Sequence, residues 1–469
     1  MTTNGEFIPL ETIDKPDEEQ NDEEVAEEDQ VPIGYPCKIL YEGHEVILNS
    51  GDFRDSREVK IQVIIINLVY LVFGLSDATV GTIIPSITKH YEINNSIASY
   101  LFASQFVGYT IASVCNEYSH RVSGFYGTLL LAELNCFLCY FVCFFEPPFW
   151  VMVMVYMLNG LGLGSIDACT NVWIGNLSYH NQIMGITHSN YGLGCMISPI
   201  LIIYLLEMQI SWNNYYAFLF GMSGLTCILI FCFFSKESKW KYLYQLKQAE
   251  IQNPSLNANP SLASVFTNKL VWFFSFVLFI HVGGELAFGS WIYNYFITIK
   301  HQTPSISSYI TSAYWLCMTL GRIISGLVMG RWHENNEMRF LLILCFIISL
   351  STLGFTLFDK VSVVLQIISV LLVGFSIGPM FPTTVIIALS YLPENMQISG
   401  VGLLVAVGGS GAAVLPYLIG FISKNGEGLR FFPFVCFVIF TVNTFCWSVF
   451  RYFKKDQTCE ASYQAVGTN

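Results

Sequence analysis

The stretch YMLNGLGLGSIDACTNVW, Tyr156 to Trp173, decides the fold class. It is apolar enough to sit in hydrocarbon, yet it carries Asp167 together with Asn159 and Asn171. Read as a helix, it places Gly160, Gly164, Asp167 and Asn171 three or four residues apart, in one stripe along one face. A charge at the centre of a membrane helix costs about 2.5–3.5 kcal/mol on insertion scales, so it persists where it faces protein or a water-filled cavity. Glycines on the same stripe let a neighbouring backbone approach closely. The segment therefore reads as a membrane-spanning helix whose buried face carries a carboxylate and, one turn on, an amide.

The rest of the chain agrees. Of 469 residues, 53% are apolar and 12% charged, about half the charged share of a soluble domain. Twelve apolar runs can each cross a bilayer as a helix: 61–87, 97–116, 125–145, 149–175, 184–206, 214–234, 270–298, 307–330, 338–357, 361–391, 398–422 and 431–453. The longest internal gap splits them six and six. The expected organisation is an acidic disordered tail over 1–58, six-helix bundles over 59–235 and 267–455, a linker over 236–266 and a tail over 456–469.

The formal charge of −12 belongs to the N-terminal tail, since residues 1–58 hold 17 acids against 4 bases. Such a polar, aromatic-poor run buries too little apolar surface to offset its ordering entropy, and it is a candidate site for trafficking or regulatory partners. The acidic start has no apolar core of a secretory signal. Placing both termini in the cytosol puts Arg54, Arg57, Lys60, Arg121, the linker lysines, Arg339, Arg451, Lys454 and Lys455 on the cytosolic side, which satisfies the positive-inside rule. The plasma membrane and a vacuolar or lysosomal membrane both fit, the latter through YQAV (Tyr463 to Val466), which is similar to a tyrosine-based sorting signal.

The halves repeat each other. Gly160 and Gly164 in the fourth run match Gly374 and Gly378 in the tenth. Gly192, Gly194 and Pro199 match Gly409, Gly411 and Pro416, while Asp77 and Gly81 match Glu285 and Gly289. All three matches fall at nearly one offset, and duplicated six-helix halves are how one large class of secondary transporters is built.

With GLSDATVGTIIPSI, GLGLGSIDACTN, HSNYGLGCMISP and HVGGELAFGSWI in view, the chain resembles the major facilitator superfamily over 59–455, and within it the fucose permease and sugar-transporter branch. The resemblance implies an all-α membrane fold of twelve helices in two pseudo-symmetric bundles. It also implies proton-coupling and sugar-binding roles for Asp77, Asp167 and Asn171. The superfamily's loop signature between the second and third spans survives only as NEYSHRVSGFYG, with Arg121. The matching stretch at the end of the eighth span, GRIISGLVMGRW, keeps Arg322 and Arg331 with spaced glycines.

Four acids lie inside spans. Asp77 shares a stripe with Asn67, Tyr70, Gly74 and Gly81, so it and Asp167 are expected to take up and release protons; the plainer alternative is that Asp167 only fastens a neighbouring helix. Glu285 follows His281 by one turn, either as a third proton site or as a satisfied pair. Glu133 has no polar stripe and is expected to serve packing or the lipid interface. Solute recognition needs amides for hydroxyls and aromatic faces for ring carbons, which makes Asn171, His188, Asn190, Asn294, Gln105, Trp291 and Trp315 candidates.

GLGLG inside a span is not a dinucleotide loop, which opens a helix after a strand. Cys136, Cys139 and Cys143 fall on one helical face without zinc spacing and are expected as buried small hydrophobes. No enzyme activity, cofactor, metal or nucleic-acid partner is expected. The expected partners are the bilayer, a small-molecule solute and protons. The leading expectation is a secondary transporter of a sugar or polyol by alternating access. An exporter of amphipathic organic molecules and a non-transporting receptor or scaffold are the competing readings, separated by competition with sugars or lipophilic cations and by the presence of flux.

Overall fold

The apolar runs become helices, and the computed structural model describes residues 36–252, 266–329, 337–392, 394–423 and 427–466. The first half holds α1 (Arg57–Asp77), α2 (Thr79–His90), the short α3 (Asn95–Ala98), α4 (Tyr100–Phe144), α5 (Phe149–Gly175), α6 (His180–Glu207) and α7 (Asn214–Phe233). A linker helix, α8 (Lys239–Gln252), follows. The second half holds α9 (Lys269–Thr298), α10 (Pro304–Met329), α11 (Glu337–Leu357), α12 (Val363–Ile377), α13 (Met380–Tyr391), α14 (Glu394–Ile422) and α15 (Phe432–Val466). Among the described residues, ten helical stretches are long and apolar enough to cross a membrane. The expected spans over 97–116 and 307–330 are helical too, over α3–α4 and α10.

Two expected spans, the first and the tenth, each run as two helices joined through one or two residues that keep helical backbone angles. The first breaks at Ala78, directly after Asp77, and the tenth at Gly378–Pro379. Spans two and three run on as α4 through a kink at Gly124, whose φ of +70° suits glycine. A side chain there would also collide with the Ser238–Lys239 backbone of the linker.

The repeat seen in the sequence is repeated in contacts. Gly160 packs on the Gln105 carbonyl and Gly164 on Tyr109, just as Gly374 packs on the Tyr314 carbonyl and Gly378 on Met318. Gly194 rests on the Leu71 carbonyl as Gly411 rests on that of Phe279. Each glycine removes the Cβ that would hold two helices apart, so backbones touch at equivalent places in both halves.

The reading of 1–58 as a disordered tail is corrected for its last third. Strands β1 (Cys37–Tyr41) and β2 (His44–Leu48) form an antiparallel hairpin, in register from Cys37–Leu48 to Tyr41–His44. It is ordered because it has aromatic partners: His44 stacks on Trp240 at 4.0 Å and Tyr41 meets the Tyr244 ring edge-on at 5.6 Å. The linker is likewise not all loop, since α8 supplies those partners. Glu58–Lys236 at 2.9 Å, Arg54 to the Tyr179 hydroxyl at 2.6 Å and Ser178 N–H to the Gly51 carbonyl at 2.9 Å fasten the same unit to the first half. The acidic run before residue 36 and Arg331 lie outside the described residues. The C-terminal segment carries α15 on to Val466.

The two halves meet on the side away from the hairpin. There Gly81 of α2 lies against Ser290 of α9, and Gly420 of α14 against Ser99. Tyr100 packs on Tyr417 at 5.7 Å, Trp291 on Phe102 at 6.4 Å, and Ser305 bonds the Glu207 carboxylate. These contacts close that side in this state.

Candidate functional site

The break after Asp77 and the glycine stripe on α5 together build the site. Close approach of α5 to α4 at Gly160 and Gly164 sets Gln105 and Tyr109 beside the two acids. Gln105 Nε2 donates to Asp77 Oδ1 at 2.8 Å. The Tyr109 hydroxyl donates to Asp167 Oδ2 at 2.6 Å. From the other flank, Gly74 of α1 lies against the Tyr191 carbonyl of α6, and the Tyr191 hydroxyl donates to Asp77 Oδ2 at 2.7 Å.

Asp167 Oδ1 accepts from Asn171 Nδ2 at 3.0 Å and from the Tyr70 hydroxyl at 3.2 Å. Tyr70 also shares a 2.8 Å bond with the Thr170 hydroxyl, and the His188 ring stands edge-on to it at 5.4 Å. Each acid is thus half-buried and held by neutral donors on several helices, with no arginine or lysine bonded to it among the described residues.

The second half answers with a different arrangement. Glu285 is buried and bound by Arg322 Nη2 to Oε1 at 2.9 Å, with His281 Nε2 at 3.6 Å from Oε2. Arg322 Nε donates to the Gly378 carbonyl at 3.0 Å, at the break of the tenth span. Arg322 is therefore an intramembrane residue of α10, within the expected eighth span. The pair faces the first half, within electrostatic reach of His188 and Asp77.

The remaining candidates divide by place. Asn190 Nδ2 donates to Asn67 Oδ1 at 2.7 Å, so these two amides join α6 to α1 near His188. Asn171 Oδ1 is buried and unpartnered, an acceptor left over beside Asp167. Asn294 is buried in α9, where its carbonyl accepts from Thr298. Trp291 is fully buried at the closed side and gives its N–H to the Pro416 carbonyl at 2.9 Å. Trp315 is buried against Gly289. The structure groups Asp77, Gln105, Asp167, Asn171, His188 and Asn190 in the first half and sets Trp291 and Asn294 apart from them.

Glu133 is buried and accepts from Ser223 of α7 at 2.8 Å, a helix-packing bond away from this cluster. Cys136, Cys139 and Cys143 are buried in the same layer. A cavity of about 360 Å³ between α6 and α10, lined by Ile200, Tyr204, Glu207, Ser305 and Tyr309, lies away from the acids.

Tyr109, Tyr191 and Arg322 were missed as site residues. Tyr109 follows Gln105 by one turn on the same helical face, which was a usable signal. Tyr191 and Arg322 reach their partners only by crossing to other helices.

This geometry can be compared with known proteins. The model of the Major Facilitator Superfamily matches residues 66–416. The chain is 31% identical over 442 residues to Bypass of stop codon protein 6 of Saccharomyces cerevisiae, covering 89% of this chain and 88% of that protein. It is 23% identical to the glucose/mannose transporter GlcP of Bacillus subtilis, over 75% of this chain and 85% of that one. Among solved structures, the D-xylose–proton symporter superposes with a TM-score of 0.67 at 11% identity, over 83% of this chain and 97% of that one. A POT family transporter in complex with 5-aminolevulinic acid gives 0.65 at 15%, over 86% and 97%. With duplicated helical halves and a family match across both, the chain belongs to the major facilitator superfamily, as a multi-pass membrane transporter.

Proposed function

We propose that this transporter carries a small polar solute, a sugar or polyol, together with protons, by alternating access between the two halves. The observation that carries the reading is the Asp167 cluster: a half-buried carboxylate bonded, among the described residues, by hydroxyls and an amide, beside the unpartnered Asn171 Oδ1. A hydroxylated solute can satisfy that acceptor while a proton satisfies the acid. Asp77, one helix away with its own two neutral donors, is the second proton site. Glu285 is the third candidate; its pairing with Arg322 and His281 suits it to hold the second half's charge balance. The sugar-transporter relatives support the solute class.

The hairpin side carries Arg54, Arg57, Lys236, Lys239 and Lys247, which supports assigning it, with both termini, to the cytosol. The protein then resides in the plasma membrane or a vacuolar or lysosomal membrane. Purified protein in liposomes under an imposed pH gradient tests the proposal. Gradient-driven sugar uptake is expected in the wild type and is expected to fall to the passive level in Asp167→Asn and Asp77→Asn. Unchanged uptake in both variants removes the coupling, and competition by lipophilic cations instead of sugars moves the solute class to amphipathic organic molecules.

A further inference from the structure

The cavity between α6 and α10 shares no residue with the acid clusters, and its walls are graded in polarity. On α6 it is lined by Ile197, Ile200, Tyr204 and Glu207, which lie three or four residues apart and so on one face. On α10 it is lined by Ser305, Ser308 and Tyr309. The charged and hydroxyl groups stand where the two helices meet the membrane surface: Glu207 is the last residue of α6, and Ser305 the second of α10. The isoleucines stand deeper. Ten residues of helix separate Ile197 from Glu207, about 15 Å at the helical rise and so about half of the ~30 Å hydrocarbon core.

Ile197, Ile200 and Tyr204 are exposed at the protein surface, which along this stretch of α6 is acyl chain. The cavity is therefore one leaflet deep, polar at the level of the headgroups and apolar below. That is the polarity profile of a single lipid, and an aqueous solute has no reason to enter it. Glu207 then selects the head. One of its oxygens takes the Ser305 hydroxyl from the other half. None of the ion pairs among the described residues gives it a cation. An ionised carboxylate only accepts hydrogen bonds, whereas a primary ammonium brings a positive charge and three donors. A head of net negative charge is repelled here, and a trimethylated ammonium offers no N–H.

We propose that this cavity is a binding site for one phospholipid with a primary ammonium head, of the phosphatidylethanolamine type. Its ammonium sits on Glu207 and an acyl chain lies against Ile197 and Ile200. The lipid touches both halves at their seam, and the site holds whichever solute is carried.

The test uses the full chain in nanodiscs of equal parts phosphatidylethanolamine and phosphatidylcholine with matched acyl chains. The protein is extracted mildly into detergent, and the lipid it retains is read by native mass spectrometry. The wild type is expected to favour the ethanolamine lipid about two- to fivefold over the mixture, the range that an exposed ion pair supports. Glu207→Gln keeps an oxygen for Ser305 but loses the charge, and is expected to retain the two lipids in bulk proportion. Glu146→Gln changes another acid nearby, one bonded by Ser211 beyond the end of α6, and is expected to keep the preference. Ile200→Trp fills the cavity and is expected to lose the retained lipid. An unchanged preference in Glu207→Gln overturns the assignment of the head. Bulk proportions in the wild type, or wild-type retention in Ile200→Trp, overturn the site.

Discussion

At the residue scale, two kinds of position carry the site: glycines that let backbones touch, and charges that must find partners in a low-dielectric setting. A Cβ at Gly160 would overlap the Gln105 carbonyl, while one at Gly175 meets open space. Gly160→Ala is therefore expected to destabilise by about 1–3 kcal/mol, the usual penalty for overpacking, and Gly175→Ala to leave the thermal midpoint in detergent nearly unchanged. Equal midpoints for the two variants would show that the α4–α5 contact is not tight. Arg322 and Glu285 make the opposite case. Removing Arg322 alone, as Arg322→Met, leaves a buried carboxylate unpaired and is expected to cost about 3–5 kcal/mol. The double variant Arg322→Met/Glu285→Gln is expected to recover much of that loss in the same melting experiment. If the two changes simply add, the pair has no coupling.

At the element scale, the informative features are the breaks and the hairpin. The first span ends its first helix at Asp77, and the tenth breaks at Gly378–Pro379 beside Arg322. Both interruptions keep helical backbone angles, and both adjoin charged residues. The glycine stripe and the intramembrane acids were legible in the sequence because helical spacing alone puts them on one face. The hairpin was not legible. Residues 37–48 look like the end of a charged tail until Trp240 and Tyr244 of a distant helix give them a surface to fold on. Those aromatic contacts are each worth about 0.5–1.5 kcal/mol. Trp240→Ala is expected to speed amide hydrogen exchange across β1 and β2 while leaving exchange in α5 unchanged. Unaltered protection of the hairpin would place its stability in the Glu58–Lys236 and Arg54–Tyr179 contacts instead.

At the scale of the whole molecule, the two halves share one scaffold but differ in charge. The first half places two acids among neutral donors, whereas the second neutralises its acid with Arg322. The halves are joined on the side away from the hairpin, with Tyr100 against Tyr417 at 5.7 Å. Bridging Tyr100→Cys and Tyr417→Cys with a cleavable thiol reagent is expected to arrest flux, and reductant to restore it, the wild type treated alike serving for its native cysteines. Flux that survives the bridge would mean that this side does not open during transport.

The amino-acid sequence by itself determined the class of the fold, the twelve spans, their division into repeated halves and the stripe that carries Asp167. These follow from hydropathy and helical period, which act within a single segment. Only the tertiary structure decided which groups the acids meet: Gln105 and Tyr191 for Asp77, Tyr109 and Tyr70 for Asp167, Arg322 for Glu285. It also set Trp291 at the closed seam rather than beside those acids, and gave the N-terminal hairpin its surface. The reason is physical. A helix's own period says which residues share a face, but which face meets which depends on how closely backbones pack, and that belongs to pairs of helices far apart in the chain.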